Sequence, residues 1–492
     1  MRHDRAAKPP ATTEILGTVE GNALLGTFRE YRQGAMMRSE IRLGPLLFLT
    51  VGDGKHLWES DENGDVRELM GVLRARATTT AFVEAGAYLD DPGSLSYVGP
   101  ASSEGRPCYR FAVQAPHGDR QQICIDAQSY LLDDREFDEG SGVARETFFD
   151  YRMVDGYATA YRSVQSSGGG RAVTFSIQSV FENRPLDAAL FAQPRPRYLE
   201  MPAQSVVVPM RLRRSGYEVP VAIGAHHYWF LLDSGSQGVV VDSRVARELN
   251  LRVEGSMSAL GAKAVGGLGL ARIDALSVGG AVLRGPTVGV LDFSAATGGI
   301  LDADGVLGFP FFDAAVLRFD PHALTLEIEP PNGSGTKPRG ERLAIELDRR
   351  IPVVAAAIPG NPGAPFLIDT GSSAELLLYQ DYVDRHPGLV PVGFESRTGT
   401  GIGGALSLRG TTLAQLSLGS IALYNIRTGI VVGAQGAFAD RFDAGNIGLG
   451  ILRNFVITFD EPGAAIYLER GANFDDGRFR PQYEPLQLPR PR

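Results

Sequence analysis

Two short stretches carry the residue types that could do acid–base chemistry. Residues 229–236 read WFLLDSGS, and residues 365–372 read PFLIDTGS. In each, an apolar run ends in an aspartate, then a hydroxyl residue, a glycine and a second hydroxyl residue. The aspartates, Asp233 and Asp369, stand 136 residues apart in the chain. Two carboxyls held side by side cannot both ionise cheaply, so they share a proton and titrate as a pair. The ionised member can take a proton from water while the protonated member polarises a carbonyl, which is what hydrolysis of a peptide bond requires. Either Asp233 or Asp369 could hold the proton. Gly235 and Gly371 suit close backbone approach and amide hydrogen bonds to carboxylate oxygens. Ser236 and Ser372 are candidates for hydrogen bonds to the outer carboxylate oxygens. The apolar runs put each loop at the end of a buried strand, which would hold the pair rigidly.

A lone Asp-Ser/Thr-Gly is an ordinary turn sequence, so the weight lies in the residues downstream of each copy. DSRVARELNL (242–251) and LLLYQDYVDRHPGLV (376–390) both read as a strand end leading into a short helix. Gly266-Gly267 and Gly403-Gly404 sit at near-equal distances beyond the two aspartates. ALSVGGAVLRGPTVGVL (275–291) aligns without gaps on QLSLGSIALYNIRTGIV (415–431) at an offset of 140. Each half then closes on a strand ending Phe-Asp, in VLGFPFFDAAVLRFD (306–320) and IGLGILRNFVITFD (447–460). Two copies at so long a period mean a duplicated domain and not a solenoid. PPNGSGTKPRG (330–340) has the composition of a linker between the halves.

At 492 residues the chain is too long for one core. Sixty glycines and thirty prolines favour turn-rich β structure. The net charge of −9 speaks against nucleic acid or an anionic membrane as partners. No apolar run approaches the length of a transmembrane helix. The basic N-terminus has no apolar core of a signal peptide.

Residues 1–198 read as a separate domain of successive strands, with the best helical stretch at 66–90. Three threonines weaken that helix. Cys108 and Cys124 flank the turn PHGD (116–119), so a hairpin disulfide and two unrelated thiols are both open. The acidic residues Asp61, Glu62 and Asp65 read as a solvated turn. NRPLDAALFAQPRPR (183–197) reads as a linker. In the second region, His226 and His227 are adjacent in a strand and point to opposite faces, which is poor metal geometry. GTGIGG (399–404) satisfies G-x-G-x-x-G but lacks the strand-then-helix context of a dinucleotide site, and reads as a hairpin.

CIDAQSYLLDDREF, DYRMVDGYATA and NRPLDAALF make the first region resemble the periplasmic lipoprotein-carrier (LolA-like) family. That resemblance implies a curved antiparallel sheet with one or two helices and a possible lipid or lipoprotein ligand, and it points to a periplasmic or secreted protein. The doubled motif and its Gly-rich hairpins resemble the pepsin-like and retropepsin-like aspartic peptidases. This implies two β-barrel lobes forming a bilobal pseudo-dimer in one chain, at 199–334 and 335–482, with a tail at 483–492. It further implies an extended peptide or protein substrate, Asp233 and Asp369 as the catalytic pair, and hydroxyls of Ser234 and Thr370 cross-linking the two loops. Gly266, Gly267, Gly403 and Gly404 would belong to flaps over the cleft, although neither hairpin carries the tyrosine of pepsin-like flaps. No metal or cofactor is required, and the duplication removes the need for a dimer, so a monomer is expected. The alternatives are an inactive peptidase fold that binds a lipid or lipoprotein, and a first domain that acts as an inhibitory cover.

Overall fold

A computed structural model describes residues 10–140, 142–167, 172–195, 197–261, 264–331, 338–390, 395–433 and 436–478. The chain is mainly β and divides into two compact units. One comprises Met1–Pro196 with Glu254–Met257; the other comprises Arg197–Val253 with Ser258–Arg492.

Among the described residues of the first unit, the strands form an antiparallel meander of thirteen. The opening strand Thr12–Gly21 pairs with the late strand Val173–Glu182, so the two ends of the meander meet inside the sheet. The helical stretch is shorter than its sequence suggests. Val66–Glu68 is a strand, the helix covers Gly71–Glu84, and a 3-10 turn follows at Ala87–Leu89. Two of its threonines explain why poor helix formers are present. Thr78 Oγ1 donates back to the Arg74 carbonyl, and buried Thr79 Oγ1 donates to the Asp119 carbonyl, tying the helix to the hairpin turn. Val83, Tyr88, Val113, Ile123 and Leu132 form a core under the helix. Cys108 and Cys124 are joined in a disulfide across neighbouring strands, with Cα atoms 5.7 Å apart. Asp61 and Asp65 are buried, not solvated: the Asp61 carboxylate caps its own turn by accepting the Asn63 and Asp65 N–H groups.

The second unit contains the duplicated motif, and the two copies share one pattern of strand pairing. The strand His226–Leu232, which runs into Asp233, pairs in parallel with Gly305–Leu307. Gly305–Leu307 also pairs antiparallel with Val239–Asp242, which pairs in parallel with Thr287–Leu291. In the second copy Asn361–Asp369, Gly445–Gly448, Leu376–Tyr379 and Ile421–Val431 take the same places with the same directions. The short helices Ser243–Glu248 and Gln380–Arg385 follow at matching positions. One difference has a local cause: Ile421–Val431 is continuous, whereas its counterpart breaks into Ala281–Arg284 and Thr287–Leu291. Pro286 has no N–H for a ladder, and Gly285 before it takes a φ of 58°. The copies join edge to edge where Val316–Asp320 pairs antiparallel with Phe455–Asp460. A single apolar core runs through both, including Phe230, Leu307, Phe319, Phe366, Ile447 and Phe459.

Candidate active site

Each aspartate sits where a buried strand gives way to a tight loop, and the two loops face one another. Ser234 and Thr370 lock them together. Ser234 N–H donates to Thr370 Oγ1 at 3.0 Å, and Thr370 N–H donates to Ser234 Oγ at 3.0 Å. Each hydroxyl then donates across to the other strand, Ser234 Oγ to the Ile368 carbonyl and Thr370 Oγ1 to the Leu232 carbonyl, both at 2.8 Å. Both residues are almost fully buried. The two glycines are needed for the approach: a Cβ added at Gly235 would lie 2.5 Å from Asp369 Cγ, and one at Gly371 would collide with Asp233 in the same way.

The carboxyls thus face each other at the junction, with partial access to solvent and protein packed around the rest. Gly235 N–H donates to Asp233 Oδ1 at 2.9 Å. Gly371 N–H and Ser372 N–H donate to Asp369 Oδ1 at 2.8 and 3.0 Å. Burial pushes the Asp233 carboxyl well above the usual range, and the neighbouring Asp369 charge pushes it further. Burial also raises Asp369, but hydrogen bonds from Asn446, Gly371 and Ser372 hold it down. The two carboxyls therefore have unequal surroundings, with more hydrogen-bond donors directed at Asp369 than at Asp233.

The outer hydrogen bonds differ from expectation. Ser236 Oγ turns away and donates to the Gly238 carbonyl, so its hydroxyl does not serve Asp233. Ser372 contributes its backbone N–H. The outer oxygen of Asp369 is instead held by Asn446, whose Nδ2 donates to Oδ2 at 2.6 Å. The sequence signal for Asn446 was a polar residue in an apolar strand, at the position where the first copy has Val306.

The glycine pairs are not equivalent. Gly403 occupies the two-residue turn between Glu395–Gly401 and Gly404–Leu418, and both Gly403 and Gly404 have positive φ. Gly266 and Gly267 lie within the strand Ala264–Arg272 instead of at a hairpin tip, and residues 262–263 of LGAKAVGG lie outside those described. The Gly399–Gly404 stretch is a hairpin. Its tip reaches the other copy: Gly403 N–H donates to the Ala296 carbonyl at 2.9 Å, and Ile402 packs against a cluster that includes Leu231, Phe293, Ala296 and Val306. In the reverse direction Ala437 N–H donates to the Gly261 carbonyl at 2.9 Å. His226 and His227 are exposed, and His226 Nδ1 sits 3.1 Å from Glu248 Oε1.

Beneath the second copy lies a cluster with no sequence motif. Arg349 Nη2 is 2.9 Å from Asp440 Oδ2 and 3.9 Å from Asp443 Oδ2, and its Nε donates to Asp348 at 2.8 Å. Three carboxyls face one guanidinium. Burial, then the charges of Asp348 and Asp440, push Asp443 up to about 8. A carboxyl raised in the folded state stabilises most at acid pH, and this contribution is lost as pH rises towards its folded value. Asp443→Asn should therefore melt higher than wild type at pH 8–9, by about 1–3 kcal/mol of stability, and show little gain at pH 4. Thermal unfolding of the two chains across that range checks it; an equal shift at both ends would refute it.

Residues 219–311, which include Asp233, match the family described as Aspartyl protease (Asp_protease_2). No curated protein matches the chain. Among solved structures, similarity extends to an outer membrane lipoprotein-sorting protein domain from Vibrio parahaemolyticus. That match has 10% identity and a TM-score of 0.27, and covers 38% of this chain and 91% of that one. A LolA superfamily protein from Nitrosomonas europaea matches at 12% identity and a TM-score of 0.27, covering 38% and 92%.

Proposed function

We propose that the second unit is a single-chain aspartic endopeptidase of retropepsin-like design. Its two lobes, 199–334 and 335–482, would each supply one aspartate. The observation that carries this reading is the hydroxyl-locked facing of Asp233 and Asp369, with their loops held by four reciprocal hydrogen bonds. A structural turn needs none of this symmetry, and two half-buried carboxyls held side by side cost stability, as groups held for chemistry commonly do.

The reaction follows from the unequal pair. Asp369, ionised, takes a proton from a water whose oxygen attacks the scissile carbonyl carbon. Asp233 gives its proton to the carbonyl oxygen, and a neutral gem-diol forms. When the C–N bond breaks, Asp369 passes its proton to the leaving nitrogen, and Asp233 recovers one from a diol hydroxyl as the carbonyl reforms. Water is consumed, and a carboxyl and an amine are released.

The substrate is an extended peptide lying across the junction, its backbone pairing with the hairpins as an added strand. The hairpin at Gly401–Gly404 would cover it. Ile402→Asp puts a charge into the apolar seat of that hairpin. The expected result is a fall in kcat/KM of roughly ten- to a hundredfold, carried mostly by KM, with some loss of melting temperature from the charge in that seat. Steady-state kinetics on a peptide substrate would read it, and an unaltered KM would remove the hairpin from substrate binding.

The function itself is tested by incubating the full chain with denatured protein across pH 3–8, with and without a statine-type inhibitor. Inhibitor-sensitive cleavage supports the proposal. An absence of cleavage at every pH favours the inactive binding fold.

A further inference from the structure

The two copies place the same backbone around each aspartate but not the same side chain. Leu231 pairs with Val306 beside Asp233, and Leu367 pairs with Asn446 beside Asp369. An apolar strand position has thus become an amide in one copy only. Asn446 is 5% exposed, so its polarity has a cost that must be met locally. Its Nδ2 meets that cost on Asp369 Oδ2, while its Oδ1 is buried without a hydrogen-bond partner among the described residues. Leaving that oxygen unpaired is tolerable only if the other end of the amide makes a strong, charge-assisted bond.

The donor count points the same way. Besides the hydrogen bond it shares with Asp233, Asp369 accepts from Gly371 N–H and Ser372 N–H on one oxygen and from Asn446 on the other. A carboxyl surrounded by donors is an acceptor-only group, which is the ionised form. Val306 can offer Asp233 nothing comparable.

We infer that Asn446 is the positioning residue that makes the dyad unequal, keeping Asp369 as the carboxylate that activates water and leaving the shared proton on Asp233. The assignment of the base and acid roles rests on the peptidase reading. The assignment of the proton does not.

Among the described residues, buried Tyr379 lies within electrostatic reach of Asp369, and it is in turn within reach of Arg349, Asp440 and Asp443. These stay in place in every variant of the test, so a difference between variants belongs to Asn446.

The test removes one aspartate at a time and titrates the other. In the full chain with aspartate-selective 13Cγ labelling, the remaining dyad carboxyl is the signal missing from the double Asp233→Asn, Asp369→Asn variant. Alone in Asp233→Asn, Asp369 should titrate below the value of Asp233 alone in Asp369→Asn. Adding Asn446→Val, which copies the first repeat, should raise the titration of Asp369 by about one to two pH units and leave that of Asp233 unmoved. Asn446→Ala, which cannot overpack, should repeat the result if the valine disturbs folding. Equal shifts at both aspartates, or none at Asp369, would overturn the inference. In the otherwise wild-type chain, Asn446→Val should move the acid limb of the kcat/KM profile upward in pH. If the titrations behave as stated and no cleavage occurs at any pH, the peptidase reading fails and the proton assignment stands.

Discussion

Asp233→Asn and Asp369→Asn should each reduce peptide cleavage by on the order of 10⁴-fold, and the double variant should be little worse than either single one. The non-additivity follows from the shared proton. Each aspartate works only while the other holds the complementary charge state, so removing one removes the function of both. Asparagine keeps the shape of the side chain, so the reciprocal bonds of Ser234 and Thr370 survive and the loss is chemical. The same substitutions should change stability in the opposite sense. Burial and the facing charge raise Asp233 in the folded protein. Its stabilising contribution is therefore complete below the ordinary carboxylate range and is lost as pH rises through the raised folded value. Asp233→Asn escapes that loss and should be more stable than wild type at pH 8, by about 1–3 kcal/mol, while inactive. Cleavage assays beside thermal melts at pH 4 and pH 8 would read both effects. A variant with a tenth or more of wild-type cleavage would rule out a shared dyad.

Much of this site was legible because its parts are local or repeated. The Asp-Ser/Thr-Gly-Ser loops announce themselves in sequence, and the offset of 140 between residues 275–291 and 415–431 predicts two copies of one strand pattern. Side-chain direction was less legible. Ser236 carries the expected hydroxyl, yet a nearby backbone carbonyl at Gly238 captures it first. Asn446 was hidden because the matched closing segment starts at Ile447, one residue too late to show an amide standing where Val306 stands. Arg349 and its three carboxyls meet only after a hairpin and a distant loop are packed together, and no spacing rule encodes that meeting. The glycine pairs at 266–267 and 403–404 sit at almost the same distance from their aspartates. In the first hairpin the returning strand Ala264–Arg272 already contains both glycines, so of the four only Gly403 lies in a turn between strands.

Thr370→Val should cost more stability than its single hydroxyl suggests. The side chain keeps its volume, but Ser234 N–H and the Leu232 carbonyl both lose their partner in a buried place. Two unsatisfied backbone groups amount to about 2–4 kcal/mol, whereas Thr370→Ser retains the hydroxyl and should cost well under half of that. Ser234→Ala should behave like Thr370→Val, because it orphans Thr370 N–H and the Ile368 carbonyl. Denaturant unfolding would measure the cost, and a Thr370→Val chain as stable as wild type would contradict the role given to the lock. The consequence for chemistry follows from the same geometry. The facing Asp369 charge is part of what raises Asp233, so letting the loops drift apart weakens that coupling. The two titration steps of the pair should then draw together and the pH range of cleavage should narrow, while Thr370→Ser keeps both steps where the wild type has them.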